Sequence, residues 1–398
     1  MDSLTKSQEH SLASPKTNRD QWLVFSDDWG RHPSSCQHLI MHLLDRIDVT
    51  WVNTIGMRPP RLDRVTFDRV MGKLRGAIAS DSKPSSKDEI RIRPRVLSPW
   101  MWPWFKRGWD RACNRWLLKR QLMDPLQGDM QPKVAVTTIP IVADLMDELP
   151  VDRWVYYCVD DFSHWPGLDQ RTMANMEKRV VERADFLVAA STSLQDRLSA
   201  MGRKSALCTH GVDIAAWQAV PTNRHAWPAS IRGPIALFWG VIDRRLDTVF
   251  LTHLSQSVPQ LSIVLVGPIQ NPDPAIRRLP NVHILPPVAT RDLPAMAQAA
   301  DCLIMPYVRT PLTQAMQPLK LKEYLASGRP AVVRRLPSTE PWSEACDAVD
   351  TAEGFVRAVR RRIEGGLTME QRTARRSIES ESWSRKANRF FRLVSYGE

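Results

Sequence analysis

The chain has 398 residues, 43% of them hydrophobic and 25% charged, with a formal net charge of +12. At roughly 100–200 residues per domain this length accommodates two cores, and the composition excludes collagenous, low-complexity and fully disordered classes. No apolar run approaches the ~20 residues that span a bilayer and no signal-peptide pattern opens the chain, so neither a membrane-spanning nor a secreted protein is expected.

Six cysteines (Cys36, Cys113, Cys158, Cys208, Cys302 and Cys346) are scattered, with no CxxC pair and no Cys/His cluster. That usage predicts reduced, mostly buried thiols in a cytosolic protein. The basic surplus is compatible with nucleic acid, anionic lipid or phosphorylated small molecules, and its placement decides among them.

Residues 1–20 are polar and rich in serine and lysine, the composition of a disordered tail. A strand is predicted at 21–26, a helix around 38–47 and a strand at 49–55. Further strands follow at 133–137, 154–159 and 185–190, with helical periodicity at 173–184 and 193–201. Short, near-continuous apolar strands separated by helices predict a parallel sheet covered on both faces. Residues 221–234 are rich in Pro, Asn, Arg and Trp and lack a period, which marks a linker. The pattern then restarts with strands at 235–240, 261–267, 282–285, 302–305 and 331–333.

The expected organisation is therefore a tail at 1–20, an acceptor-side α/β domain at 21–215 and a linker at 216–233. A second α/β domain follows at 234–380, then a C-terminal helix at 381–398 packing back on the first domain. Two doubly wound sheets in tandem face each other across a cleft, and ligands bind such sheets at the carboxyl ends of their strands. No GxGxxG or GxxxxGK[ST] follows a strand, which argues against a dinucleotide-dependent oxidoreductase and a P-loop NTPase. No Asp-x-Asp occurs, so a metal-bridged diphosphate is not indicated.

Two stretches carry a specific signal. One runs Phe238-Trp239-Gly240-Val241-Ile242-Asp243-Arg244-Arg245-Leu246-Asp247, the other Pro318-Leu319-Lys320-Leu321-Lys322-Glu323-Tyr324-Leu325-Ala326-Ser327-Gly328-Arg329-Pro330. Together they resemble the donor domain of the GT-B glycosyltransferases, close to glycosyltransferase family 4. The stretch Tyr157-Cys158-Val159-Asp160-Asp161-Phe162, then Arg183-Ala184-Asp185 and His210-Gly211-Val212-Asp213, is similar to the same proteins. The resemblance covers roughly residues 22–394 and is loose over 58–132.

The resemblance implies the GT-B fold, a nucleotide-sugar donor held by the second domain, and retention at the anomeric carbon. In it Glu323 matches the helix glutamate that accepts from the ribose hydroxyls; a carboxylate suits two vicinal hydroxyls because it has two acceptor oxygens. Lys320 and Arg245 match the basic pair that neutralises the diphosphate, with Arg244 as the alternative ligand. Fixed cations there stabilise charge on the leaving group and stand in for a metal. Gly240 lets backbone approach the phosphates, and Pro318 and Leu319 open a helix whose dipole adds to the site. One position departs from the family: Ala315 stands where it commonly carries an earlier glutamate, leaving sugar contacts to backbone, Gln314 or Gln317.

In the first domain Asp160 and Asp161 end a strand facing the cleft, with His164 beyond them. Adjacent carboxylates beside a histidine suit positioning or deprotonation of an acceptor hydroxyl; they equally suit a helix N-cap. Ser26-Asp27-Asp28-Trp29-Gly30 is a second cleft-edge candidate, while His210 and Asp213 read as structural.

Residues 98–122 hold five tryptophans interleaved with Lys and Arg. Phe105, Trp109, Ala112 and Trp116 recur at helical spacing, beside a cationic stripe of Arg107, Arg111, Arg115 and Lys119. Such a helix suits an anionic membrane surface; the alternative packs the tryptophans into the domain's own core. No nucleic-acid module surrounds it, so nucleic acid is not an expected partner.

The sequence thus reads as a metal-independent hexosyltransferase without a cofactor, whose co-substrate is a UDP- or GDP-sugar. The acceptor is a cell-envelope glycan or a lipid-linked one, at the inner face of a bacterial membrane. The competing readings are a nucleotide-sugar epimerase of the same fold and a catalytically silent sugar-nucleotide-binding scaffold.

Overall fold

The computed structural model describes residues 19–30, 34–53, 93–102, 104–127, 132–162, 169–219, 227–317 and 319–397. Among them, two separate parallel sheets form. The first contains β1 (Asp20–Ser26), β2 (Ile47–Asn53), β3 (Arg95–Leu97), β4 (Val134–Thr137), β5 (Arg153–Cys158), β6 (Phe186–Ala189) and β7 (Ala206–Leu207), in the order β3-β2-β1-β4-β5-β6-β7. The second contains β8 (Ile235–Trp239), β10 (Ser262–Val266), β12 (Val282–Leu285), β13 (Cys302–Met305), β14 (Ala331–Arg334) and β15 (Asp347–Val349), in the order β12-β10-β8-β13-β14-β15. A short parallel ribbon joins β9 (Ile242–Asp243) and β11 (Ile269–Gln270).

The central strands are buried along their whole length: every residue of β4, β8, β10 and β13 is. Helices cover both faces of each sheet, the arrangement that continuous apolar runs require. In each sheet the strand order reverses once, between β1 and β4 in the first and between β8 and β13 in the second. At such a point adjacent connections leave in opposite directions and open a crevice at the strands' carboxyl ends.

The expected helix over 38–47 is shorter. It runs Ser35–Met41, capped by Ser34 accepting from the Gln37 amide, and Ile47 already opens β2. Leu43, Leu44 and Ile47 are all buried, so their spacing mimics a continuing helix although a turn and a strand carry them. Ile55, expected in the second strand, lies outside the described residues.

Two chain segments connect the sheets and pair with each other. The Val212 amide donates to the Glu381 carbonyl at 2.9 Å, and the Trp383 amide returns a bond to the Val212 carbonyl at 3.2 Å. Beyond that crossing the helix Trp383–Tyr396 packs on the first core. Phe391 stacks on Trp22 at 5.9 Å between ring centroids, and Phe390 meets Tyr157 at 5.1 Å. Burying a large apolar side chain contributes about 1.5–3 kcal/mol, and Trp383, Phe390, Phe391, Leu393 and Val394 all do so. The helix Trp383–Tyr396 is therefore fastened to the first domain.

All six cysteines are free thiols, and all but Cys113 are buried.

Candidate functional site

The reversal point of the second sheet gathers four elements. Gly240 follows β8, Tyr307 lies just beyond β13, the segment 243–247 runs alongside, and the helix Leu319–Ala326 approaches from above Tyr307. That segment is fixed by its backbone: Asp247 donates to the Pro306 carbonyl at 2.7 Å and Val308 to the Arg245 carbonyl at 2.8 Å.

Lys320 reaches into this crevice. Its Nζ donates to the Tyr307 hydroxyl at 2.7 Å and sits 4.3 Å from the Phe238 ring centroid and 5.1 Å from that of Tyr307. Among the described residues no carboxylate lies within 4.0 Å of it. Aromatic faces attract a cation without neutralising it, so the half-buried ammonium keeps its charge available to an anion. Gly240 makes room for it. The residue has φ +132°, and a Cβ there would fall 2.3 Å from Lys320 Nζ. Gly267, at the end of β10 with φ +146°, is required for a similar reason: its Cβ would lie 2.0 Å from the Gly240 carbonyl oxygen.

Glu323, one helical turn beyond Lys320, is half-buried, and its Oε2 accepts from Trp239 Nε1 at 2.9 Å. Burial pushes its carboxyl up, against the pull of the Trp239 bond and the Lys320 charge. Arg245 is held differently. Its guanidinium clasps Asp243, with Nε 2.9 Å from Oδ2 and Nη2 2.8 Å from the same oxygen, and its Cζ lies 5.9 Å from the Tyr307 centroid. Lys320 and Arg245 thus flank one tyrosine, but only Lys320 is without a carboxylate partner there. Arg244 is exposed. Leu319 packs against the core of the first domain, so its side chain serves the contact between the domains. Pro318 lies outside the described residues.

In the first domain, Asp160 and Asp161 follow β5. The helix Gln170–Arg183 is capped by Asp169, which accepts from the Thr172 amide at 3.0 Å. Asp161 pairs with Arg197 at 3.4 Å, and Arg197 in turn grips the fully buried Glu177 with two bonds of 2.6 Å. The Asp160 carboxylate has no such partner among the described residues. It keeps an exposed surface, yet the protein crowding it displaces enough water to push its carboxyl up to about 6, with Asp161 adding to the shift. His164 lies outside the described residues. Asp27, in the other cleft-edge candidate, is consumed locally: it accepts from Ser26, Ser34 and Gln37, each at 2.8 Å.

The helix that presents Lys320 and Glu323 also carries Lys322, on its opposite side. Lys322 is 6% exposed and bonds to the His210 carbonyl, to Glu381 and to Thr209. Lys386 meets the other oxygen of Glu381 at 2.8 Å. Two buried ammoniums thus share one carboxylate where the domains join. Burial pushes the Lys322 ammonium down to about 8 despite Glu381, and burial together with the two lysines pushes the His210 imidazole down to about 3.

The tryptophan-rich segment points outward. Its helix runs Gly108–Met123 and turns Asp110, Asn114, Leu118 and Leu122 inward. Asp110 accepts from Trp102 Nε1 at 3.0 Å; Asn114 accepts from the Trp102 amide at 2.7 Å and donates to the Trp104 carbonyl at 3.1 Å. These bonds anchor the preceding loop and leave Trp100, Trp109 and Trp116 exposed by 62%, 53% and 59%. Trp109 and Trp116 thus stay outside, which corrects the alternative that they pack into the domain, while Phe105 of the same stripe is buried in the first core. Arg107 and Arg115 are exposed and Arg111 is half-buried. No described helix is long and apolar enough to cross a membrane.

Sequence reasoning missed Tyr307, Trp239 and Asp243 as partners of the candidate cations and carboxylate, and missed the joint of Lys322, Glu381 and Lys386. Tyr307 was findable: it lies two residues beyond a buried central strand, at the edge where such sheets bind ligands.

Two doubly wound parallel sheets with a C-terminal helix returning to the first are the GT-B architecture of the glycosyltransferases. Sucrose-phosphate synthase from Thermosynechococcus elongatus superposes with a TM-score of 0.65 at 15% identity, over 94% of this chain and 98% of that one. The Anabaena HepE protein in complex with UDP and glucose gives 0.64 at 13%, over 95% and 100%. An E. coli trehalose-6-phosphate structure bound with UDP-2-fluoro glucose gives 0.63 at 13%, over 95% and 99%. At these identities the likeness is one of fold. Within the fold, residues 234–364 match the family described as Glycosyl transferases group 1, and the second domain, which carries Gly240, Arg245, Lys320 and Glu323, is a domain of that kind. A Bacillus subtilis (strain 168) protein described as a candidate glycosyltransferase of teichuronic acid biosynthesis is 32% identical over 182 residues, which span 43% of this chain and 45% of that relative. The match therefore covers less than half of the relative's length.

Proposed function

We propose that this chain is a glycosyltransferase that moves a sugar from a nucleotide-diphosphate donor, UDP- or GDP-linked, to a cell-envelope glycan or lipid-linked acceptor. The observation that carries the reading is Lys320, a half-buried cation without a carboxylate partner among the described residues, at the reversal point of the second sheet. A diphosphate placed there meets Lys320, with Arg245 on the other side of Tyr307 and the side-chain-free backbone of Gly240 close by. Glu323, oriented by Trp239, offers its second oxygen to the ribose hydroxyls. As the sugar–phosphate bond breaks, charge grows on the departing diphosphate, and cations fixed in advance stabilise it without reorganising. Asp160, ionised above about pH 6, positions the acceptor hydroxyl or takes its proton.

The relative assigned to teichuronic acid biosynthesis supports a cell-envelope acceptor, and the neighbours bound to UDP and UDP-2-fluoro glucose support a uridine donor. Resemblance to family 4 supports retention at the anomeric carbon and catalysis without a metal. The exposed tryptophans and arginines of 98–122 support a peripheral position on an anionic membrane.

The test is calorimetric titration of UDP and of GDP, without metal, into the wild type and Glu323→Ala. Binding of one nucleotide, lost in the variant, is the expected result. A folded wild type that binds neither overturns the donor assignment.

A further inference from the structure

A second cluster of cations lies away from the donor crevice. The first half of the helix Gly108–Met123, the turn at Asp144 and the helix Gln170–Arg183 enclose a recess of about 430 Å³, lined by Gly108, Arg111, Ala112, Arg115, Asp144 and Arg179. The acids around it are already matched one to one. Asp144 holds Arg179 at 2.5 Å, Asp147 holds Arg183 at 2.9 Å, and Glu148 holds Lys119 at 2.5 Å. The Lys119 bond holds the Glu148 carboxyl below its usual range, with the Arg115 charge adding a smaller pull, yet among the described residues neither Arg115 nor Arg111 has a carboxylate within 4.0 Å. Two guanidiniums therefore face the recess in surplus.

Arg111 adds an independent sign of a missing partner. Its Nε is buried and has no hydrogen-bond acceptor among the described residues. A buried donor left without an acceptor is costly and rare in a folded protein. Guanidinium forks match phosphate oxygens in geometry and charge. The recess is roomy enough for a phosphate with a small ester, and its arginines are spaced one helical turn apart on a single face.

The surroundings say which phosphate. Trp109 and Trp116 project from the same helix and are half-exposed, with Arg120 5.6 Å from the Trp116 ring. Indoles beside cations settle at the boundary between headgroups and acyl chains. We propose that Arg111 and Arg115, with Arg179 behind them, bind the headgroup phosphate of an anionic membrane lipid, while Trp109 and Trp116 enter the interfacial layer next to it. This rests on the membrane-facing reading of the helix above and gives it a defined ligand contact.

The full chain is sedimented with vesicles of phosphatidylcholine alone and with phosphatidylglycerol added, with glycerol 1-phosphate as a soluble competitor. Arg111→Gln/Arg115→Gln is compared with Arg107→Gln/Arg120→Gln, which removes the same charge from the same helix outside the recess. The midpoint of thermal unfolding reports that each variant is folded. The expected result is retention on phosphatidylglycerol vesicles, lost about tenfold more in the recess pair than in the outer pair. Equal losses in the two pairs overturn the recess while leaving a diffuse membrane attraction in place. No retention on any vesicle overturns the lipid assignment and the membrane attraction together; calorimetric binding of glycerol 1-phosphate by the wild type, lost in the recess pair, would then assign the recess to a soluble phosphoester.

Discussion

Lys320 Nζ lies 2.7 Å from the Tyr307 hydroxyl and against the backbone of Gly240, so closely that a Cβ on Gly240 would fall 2.3 Å from it. The cation's position is thus set from two sides, by a phenol it bonds to and by a side chain that is absent. Gly240→Ala is expected to displace the ammonium and to strain a backbone at φ +132°, at about 1–3 kcal/mol. Its midpoint of thermal unfolding should fall and nucleotide binding should weaken. A variant that binds UDP or GDP like the wild type would show that Lys320 does not contact the diphosphate.

Lys320→Met keeps the stem and removes the charge. Hydrogen bonds to charged groups contribute roughly 1.5–3 kcal/mol, so diphosphate affinity should fall about ten- to a hundredfold. The nucleoside alone should bind nearly unchanged. Titration with UDP and with uridine separates the two, and equal losses for both would place Lys320 away from the phosphates.

Asp160 gives a pH signature. Its carboxyl is pushed up to about 6 by burial first and Asp161 second. A carboxyl raised in the folded state makes ionisation unfavourable there, so Asp160 costs stability as pH rises from its unfolded value near 4 through 6. Asp160→Asn should therefore unfold at a higher temperature than the wild type at pH 7 and at a similar one at pH 4. If Asp160 accepts the acceptor proton, transfer should rise with pH across 6 in the wild type, and the variant should be slow at every pH. A pH profile that keeps its limb in the variant would remove Asp160 from the chemistry.

The joint of Lys322, Glu381 and Lys386 should be sensitive in one direction. Removing Glu381 leaves two buried ammoniums without a carboxylate, and breaking a buried pair costs roughly 3–5 kcal/mol. Lys322 is already down at about 8, so the unfolded chain binds the extra proton between pH 8 and its ordinary value of 10.5. Stability therefore rises with pH in that window. In Glu381→Gln the folded value drops further and the rise begins at lower pH. Denaturant unfolding at pH 7 and pH 9 measures it; a variant as stable as the wild type at pH 7 would mean the charges are solvated.

Much of the fold was legible because parallel strands buried on both faces leave continuous apolar runs, such as those at β8, β10 and β13. The strings around Gly240 and from Lys320 to Glu323 marked where the candidate site lies. The helix over 38–47 was misjudged because buried turn residues such as Leu43 and Leu44 mimic helical periodicity.

What the sequence determined by itself is the alternation of elements, and hence two doubly wound domains, together with the residue types at the strand ends. Only the tertiary structure decided which charges have partners. Arg245 and Lys320 look equivalent as letters, yet Asp243 occupies one while Tyr307 and Phe238 receive the other, because strand register and a loop clamp bring those groups together. Trp239 and Glu323 meet across 84 residues for the same reason. The outward tryptophans follow from Asp110 and Asn114 facing inward to anchor a loop, a choice that hydrophobic periodicity cannot encode because it runs against the usual rule of apolar residues inside.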